Sequence, residues 1–327
     1  MDFISFTAGA DDNGRRLDRV LRRLLPEENL PGIYKSLRKG IIKLNDRKAE
    51  PGTKVASGDS ISVAAFLADK IQETPLIIHM QNPCIDFSSI TLFSNTYICV
   101  INKPYDVAVQ GGTGSLAEAY AGYWKQNRNN GKSSSLSFRA GPLHRLDRKT
   151  TGLLVLSNNL QGAQWFTGAV AEHQIGKRYI ALVQGTIKSR QDWTDSIESE
   201  QDISPAEFHT VCISDSGGRS AMTTVQPLSY GTYSGLDITL AEYAISTGRK
   251  HQIRAQSASH GFPLLGDTAY GGIQIHEDCD FYLHARELSV PENNPIQMPV
   301  KITAPISTNF QKMLNKTLIN WNGLLII

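Results

Sequence analysis

Apolar residues return at helical spacing near the start of the chain. In RRLDRVLRRLLP, Leu17, Val20, Leu21, Leu24 and Leu25 fall at i, i+3, i+4, i+7 and i+8, one face of a helix. Arg15, Arg16, Arg19, Arg22 and Arg23 lie off that face, and Pro26 stops the helix. A second short helix, IYKSLRKG, turns Ile33, Tyr34 and Leu37 inward and ends at Gly40, suited to the left-handed C′ position. IIKLNDRKAE and VASGDSISV read as strands, with turns at Asn45-Asp46 and Gly58-Asp59. Residues 65 to about 90 keep no period and contain Pro75 and Pro83, which predicts a linker. From ITLFSNTYICVINKP onward, short apolar strands alternate with Gly, Pro and Asn turns and a few helices. GLLVLS predicts a buried strand. LQGAQWFTGAVAEHQ predicts a helix with Leu160, Ala163, Phe166, Ala169 and Val170 at helical spacing and Asn158 or Asn159 as its cap.

A chain of 327 residues predicts one large domain plus a smaller module. The net charge of +2 argues against a polyanionic partner until its distribution is considered. Between Arg15 and Lys54 stand twelve basic and five acidic residues, a net +7 that leaves −5 for the rest. A basic module joined to a near-neutral body suits a protein in which one part finds a polyanion and the other acts on it locally. Cys84, Cys99, Cys212 and Cys279 lie far apart without a CxxC pair, so reduced, mostly buried thiols are expected rather than disulfides or a zinc site. The eight histidines offer no HExxH spacing, and no metal is expected. The apolar runs at Leu153 to Leu156 and Leu324 to Ile327 are far too short to span a bilayer, and Met1-Asp2 opens no signal-peptide pattern. The expectation is a soluble, cytoplasmic protein with no membrane partner. NGKSSS lacks the upstream glycine of a phosphate loop, because that position is Gln126. GGTG, with Gly111, Gly112 and Gly114, reads as a flexible turn, and no Gly-x-Ser-x-Gly elbow exists.

Two stretches carry the candidate chemistry. HRLDRKTTG holds Asp147 between Arg145 and Arg148, just ahead of the buried strand. The commoner fate of such an acid is a turn in which its carboxylate bonds backbone amides near Thr150 while the arginines are solvated. A charged loop at the mouth of a rigid strand and helix is also where catalytic groups are well held. The second stretch, TGRKHQIRAQSASHGFPLLGDTAYGG, places Arg249, Lys250 and Arg254 ahead of a helix ending at Gly261, followed by a glycine-punctuated loop. A buried acid needs a cationic partner or it protonates; Arg254 is the candidate that keeps Asp147 ionised.

Residues 14–64 resemble the S4 RNA-binding domain, through RLDRVL, IYKSLRKGIIKLNDRK and VASGDSISV in order. Residues 91–305 resemble the RluA family of pseudouridine synthases, through YICVINKP, HRLDRKTTG, KRYIALVQG, the 247–272 stretch, YLHARELSV and VKITAPI. The likeness is nearest to RluC-like members that modify large-subunit ribosomal RNA. It implies an α+β fold: an S4-like RNA-binding domain (1–67), a linker (68–90) and a catalytic domain (91–327) with a mainly antiparallel, bent mixed sheet and flanking helices. The reaction it implies breaks the glycosidic carbon–nitrogen bond of a uridine in RNA, rotates the uracil and joins its carbon 5 to the same ribose, without cofactor or metal.

By the same resemblance, Asp147 is the catalytic carboxylate, a nucleophile or a base at the sugar. Arg145 fills the stack left by a flipped uridine. Tyr179 stacks on the target base, although a lone Tyr alternating with Ala181 and Val183 is more often a core aromatic. Ile253 forms an apolar side of the base pocket, and Arg254 supports the acid. Arg15, Arg16, Arg19, Lys35, Arg38 and Lys39 on the module, with Arg249 and Lys250, are the expected RNA-binding cations. The partner is RNA, ribosomal before transfer RNA, and the protein a monomer. The sequence departs from the family at Lys149, where an acid is usual, and at Thr151, Asp106, Gln110 and Gln256, where Ser, Gly, His and His are usual; these departures bear on substrate choice more than on activity. The competing readings are a non-catalytic RNA-binding protein and a retaining glycosidase, which needs two flanking carboxylates.

Overall fold

The computed structural model describes residues 2–72, 85–111, 114–127, 135–199, 210–214, 217–317 and 319–320. Cys84, Pro75, Pro83, Gly112, the Gly131-Lys132-Ser133 run and Leu324 to Ile327 lie outside the described residues.

The N-terminal module runs β1 (Phe3–Thr7), α1 (Leu17–Leu24), α2 (Leu30–Lys39), β2 (Ile42–Leu44), β3 (Ser60–Ala64) and α3 (Ala65–Gln72). Its three strands form an antiparallel sheet in the order β1-β3-β2. The helical face predicted from spacing is the buried one: Leu17, Val20, Leu21, Leu24 and Leu25 join Ile33, Leu37, Ile42, Ile61 and Val63 in one core. A fully buried Leu or Val contributes roughly 1.5–3 kcal/mol, which holds so small a unit together. Asn29 caps α2 by accepting from Gly32 N at 2.8 Å, and Gly40 ends it at φ 72°, where a Cβ is disfavoured. Asn45 and Asp46, at φ 48° and 60°, make the predicted turn.

The larger part runs α4 (Phe87–Ile90), β4 (Thr91–Ser94), β5 (Ile98–Lys103), α5 (Leu116–Asn127), β6 (Gly141–Pro142), β7 (Thr151–Ser157), α6 (Leu160–Ala171), β8 (Gly176–Gln184), β9 (Gln191–Ser199), β10 (Val211–Ile213), β11 (Arg219–Tyr233), β12 (Leu236–Ile245), α7 (Gln252–Ser259), β13 (Leu283–Ser289), β14 (Lys301–Thr303) and α8 (Thr308–Lys316). Eleven strands form one sheet in the order β10-β9-β11-β12-β8-β13-β7-β5-β4, with β14 beside β13 and β6 beside β7. Among the described residues, β13 with β7 is the parallel pairing in a sheet otherwise antiparallel. The fold is therefore α+β.

Both described ends of the 68–90 segment read as a linker are helical: α3 continues directly from β3 to residue 72, and α4 occupies 87–90. α7 spans Gln252–Ser259, so Arg254 sits inside this helix rather than ahead of it, and Gly261 follows the last turn at φ 84°. Asn159 caps α6, accepting from Gly162 N at 2.8 Å.

β7 is buried along its whole length, as the run GLLVLS predicts. Its Gly152 has φ 104°, and a Cβ there would lie 2.2 Å from the Ala285 carbonyl oxygen of β13. That close backbone approach explains the glycine ending HRLDRKTTG, and it pins the loop carrying Asp147 against the sheet centre.

The module is fastened to the larger part through Asp12, which is fully buried. Its carboxylate accepts from Gly9 N (2.8 Å), Leu136 N (2.8 Å), Ser137 N (3.0 Å) and Ser135 Oγ (2.9 Å), and from Ser137 Oγ. Leu136 packs against the module's core, and Asp11 Oδ1 accepts from Leu160 N at 3.0 Å at the start of α6.

Candidate active site

Strand register places the site. Tyr179 of β8 stands opposite Ala285 of β13, and Ala285 opposite Gly152 of β7, so one row crosses three central strands just below the Asp147 loop. The turn at Asp147 is closed by its main chain: Thr150 N donates to the Asp147 carbonyl oxygen at 3.1 Å. The side chain is thus left for other work, contrary to the simple turn reading.

Asp147 borders a cavity of about 920 Å³ with Arg148, Lys149, Lys250, His251, Arg254 and Asp267 among its walls. The Asp147 side chain is 16% exposed; its Oδ2 lies 3.6 Å from Arg254 Nη1 and its Oδ1 3.7 Å from His251 Nε2. These separations suit charge attraction and exceed hydrogen-bond length. Burial pushes the Asp147 carboxyl above its ordinary range, with Arg254 and Arg145 opposing through their charges. Pairing with Arg254, expected to keep the acid ionised, therefore offsets burial without overturning it.

Arg254 is held more tightly by a residue that sequence reasoning missed. Its Nε donates to Asp267 Oδ2 at 2.7 Å and its Nη2 to Asp267 Oδ1 at 2.8 Å, a two-pronged pair in which Asp267 is 2% exposed. The guanidinium also lies 4.5 Å from the ring centre of Phe281 and 4.8 Å from that of Tyr270. Three side chains thus fix the arginine, which presents its remaining nitrogen to Asp147.

Lys103 of β5 is fully buried and donates at 2.8 Å to each of three carbonyl oxygens, those of Pro104, Val107 and Arg148. Burial pushes its ammonium down to about 7, opposed by the charges of Asp147 and Asp106. It ties the loop after β5 to the Asp147 loop.

The other expected residues separate. Lys250 lines the cavity, and Arg145 lies close enough for its charge to act on Asp147. Tyr179, 7% exposed, sits in the main core beneath the site; burial, and then the charge of Asp147, push its hydroxyl above the usual range. Ile253 is buried in the same core on α7. Arg249 donates to the Ser220 carbonyl oxygen at 3.1 Å. On the module, Arg19, Lys35, Arg38 and Lys39 are exposed. Arg16 bonds Asp18 (2.8 and 3.1 Å) and Arg15 donates to Ser137 Oγ at 3.0 Å.

Most of the departures acquire physical reasons. Lys149 pairs with Asp280 across the cavity wall. Asp106 has φ 61°, a left-handed position that Asp tolerates, and its carboxylate pairs with Arg148 at 3.0 Å. Thr151 Oγ1 hydrogen-bonds buried His284 Nδ1 at 2.8 Å. Gln256 is fully buried, donates to Asp195 Oδ2 at 2.6 Å and accepts from Thr223 Oγ1 at 2.6 Å, so it joins α7 to β9 and β11 rather than facing a substrate. Gln110 is exposed, and nothing in the structure explains it.

A mostly buried, underpaired carboxylate in a cleft walled by Arg148, Lys149, Lys250 and Arg254, with a basic module fastened alongside, is the arrangement an enzyme acting on a polyanion requires. The RNA pseudouridylate synthase family matches residues 97–259, and the S4 domain matches residues 15–61. "Ribosomal large subunit pseudouridine synthase C" of Rickettsia bellii is 30% identical over 283 residues, covering 84% of this chain and 88% of that protein. The protein of that name from Escherichia coli (strain K12) is 26% identical over 320 residues, 94% of each chain. Among solved structures, Human RNA Pseudouridylate Synthase Domain Containing 1 aligns with a TM-score of 0.53 and 25% identity over 66% of this chain and 83% of that one. The chain belongs to the RNA pseudouridylate synthase family and carries an N-terminal S4 domain.

Proposed function

We propose that this enzyme converts uridines of large-subunit ribosomal RNA to pseudouridine, with Asp147 as its catalytic carboxylate. The observation that carries the role of Asp147 is its situation: a carboxylate mostly buried in a cleft, with its turn closed by the main chain and both oxygens short of hydrogen-bond saturation. Such a group is available to attack the anomeric carbon or to take a proton from the sugar. The names of the relatives support ribosomal RNA as the substrate.

In this reading the target uridine leaves its stack at a cost of a few kcal/mol, and Arg145 at the mouth of the loop occupies the vacated place. Arg254, immobilised by Asp267, Phe281 and Tyr270, opposes the burial that raises the carboxyl and keeps it aimed. Tyr179 and Ile253 support the base from the core side. Arg19, Lys35, Arg38 and Lys39 track phosphates, with Lys250 at the cleft. The S4 domain, read from the sequence as 1–67, extends through α3 to residue 72, and the catalytic domain takes 91–327, each with its own apolar core; the enzyme works as a cytoplasmic monomer. Among the described residues no helix is long and apolar enough to cross a membrane.

Mapping pseudouridines in ribosomal and transfer RNA, with and without the protein, tests this directly. The expected result is uridines of the large-subunit RNA converted without change of mass. Conversion confined to transfer RNA overturns the substrate, and no conversion in any RNA overturns the activity.

A further inference from the structure

His251 stands at the N-cap of α7 in a left-handed conformation, φ 52°, three residues before Arg254. This one short turn sends His251 Nε2 to within 3.7 Å of Asp147 Oδ1 and Arg254 Nη1 to within 3.6 Å of Oδ2. The other ring nitrogen, Nδ1, lies 2.9 Å from the Tyr270 hydroxyl. That hydroxyl accepts from Val211 N at 2.9 Å, and among the described residues Nδ1 is the acceptor placed for its own hydrogen. Burial, with the charges of Arg254 and Lys250, pushes the imidazole down to about 3, so the ring is neutral and carries one hydrogen. With Nδ1 accepting, that hydrogen is on Nε2, facing the carboxylate.

We propose that His251, held as its Nε2–H tautomer by Tyr270, is a positioning residue that fixes the carboxylate of Asp147 at the oxygen Arg254 does not face. A neutral N–H dipole orients the acid without adding a further full charge, so the carboxylate keeps the reactivity that close pairing would quench. The proposal rests on Asp147 being the catalytic carboxylate. The charges facing Asp147 are Arg145 from its own loop, Lys250 and Arg254 from the α7 turn, and Lys103 from β5. Tyr179, Tyr270 and Asp267 also act on the pair, and Arg148, Lys149 and Asp280 line the same cavity. Tyr270→Phe leaves all these charges in place and keeps the ring beneath Arg254; it deletes the hydroxyl that sets the tautomer and with it the acceptor of Val211 N, a loss that His251→Asn does not share.

The test is single-turnover pseudouridine formation by the full-length protein across pH 5–8, for wild type, Tyr270→Phe, His251→Asn and Asp147→Asn. Asn tolerates the left-handed φ at position 251. Both Tyr270→Phe and His251→Asn are expected to lower the maximal rate about tenfold. Their half-saturating RNA concentration stays within about twofold, and their acid limb moves up by roughly half a pH unit, because Asp147 loses an N–H that favours its ionised form. Inactive Asp147→Asn together with unmoved rates and limbs in the other two overturns the role of His251 alone. An active Asp147→Asn overturns the reading of Asp147, and this proposal with it. Should Tyr270→Phe fail to fold, long-range proton–nitrogen spectra of the wild-type histidines, with His251 assigned through His251→Asn, report the tautomer; a hydrogen on Nδ1 overturns the proposal.

Discussion

Asp12 is fully buried and Asp147 mostly so, and the fold treats them in opposite ways. Asp12 accepts five hydrogen bonds, one from Gly9 of its own module and four from residues 135–137 of the larger part. Asp147 meets its cationic and imidazole neighbours only at 3.6 and 3.7 Å, and its carboxyl is pushed up by burial. A saturated carboxylate has no lone pair left for chemistry and serves as a joint. An unsaturated one raises the energy of the folded state and is retained where that reactivity is used.

The largest effect that follows is on turnover. Asp147→Ala lowers pseudouridine formation by at least about 10⁴-fold in a single-turnover assay, with RNA binding within about threefold of wild type. Asp12→Ala breaks the comparison from the other side. It strands buried amides at Gly9, Leu136 and Ser137, so the denaturation midpoint reports a loss of about 3–5 kcal/mol while each folded molecule still turns over. Arg254→Lys gives up the two-pronged bond to Asp267, and the rate falls about 10²-fold, close to 2.7 kcal/mol. Arg38→Ala with Lys39→Ala lessens the slope of log affinity against log salt by about one for each phosphate no longer neutralised. Lys149→Ala, which removes a half-exposed pair with Asp280, shifts stability by less than about 1 kcal/mol.

What was legible in the sequence was local. The face of α1, the Gly40 end of α2, the Asn45-Asp46 turn, the buried run of β7 and the Asn159 cap all follow from spacings of a few residues. Asp147, Arg254 and Lys250 were named from motifs, and the structure brings them to one cavity. The bonds that give them their character join distant residues. Asp12 and its partners at 135–137 are 123 to 125 residues apart, and no periodicity announces such a bond. Asp267 lay within a stretch already singled out, but an Asp among glycines is usually a turn residue. The α3 helix was missed because it follows β3 without a break and its described run is only eight residues long. Lys149 was unintelligible until Asp280, far along the chain, stood beside it.

A carboxyl whose folded pKa is raised above its unfolded value destabilises the fold at neutral pH, and the penalty disappears as pH falls through the folded pKa. The proposed role of Asp147 needs the ionised form, so activity is expected to disappear over the same interval. Asp147→Asn removes both at once. The most direct measurement therefore takes pseudouridine yield and denaturation midpoint on the same preparation of Asp147→Asn beside wild type at pH 7.5. The account predicts no detectable product and a midpoint that does not fall. Product at the wild-type rate, or a midpoint that collapses as for Asp12→Ala, contradicts it.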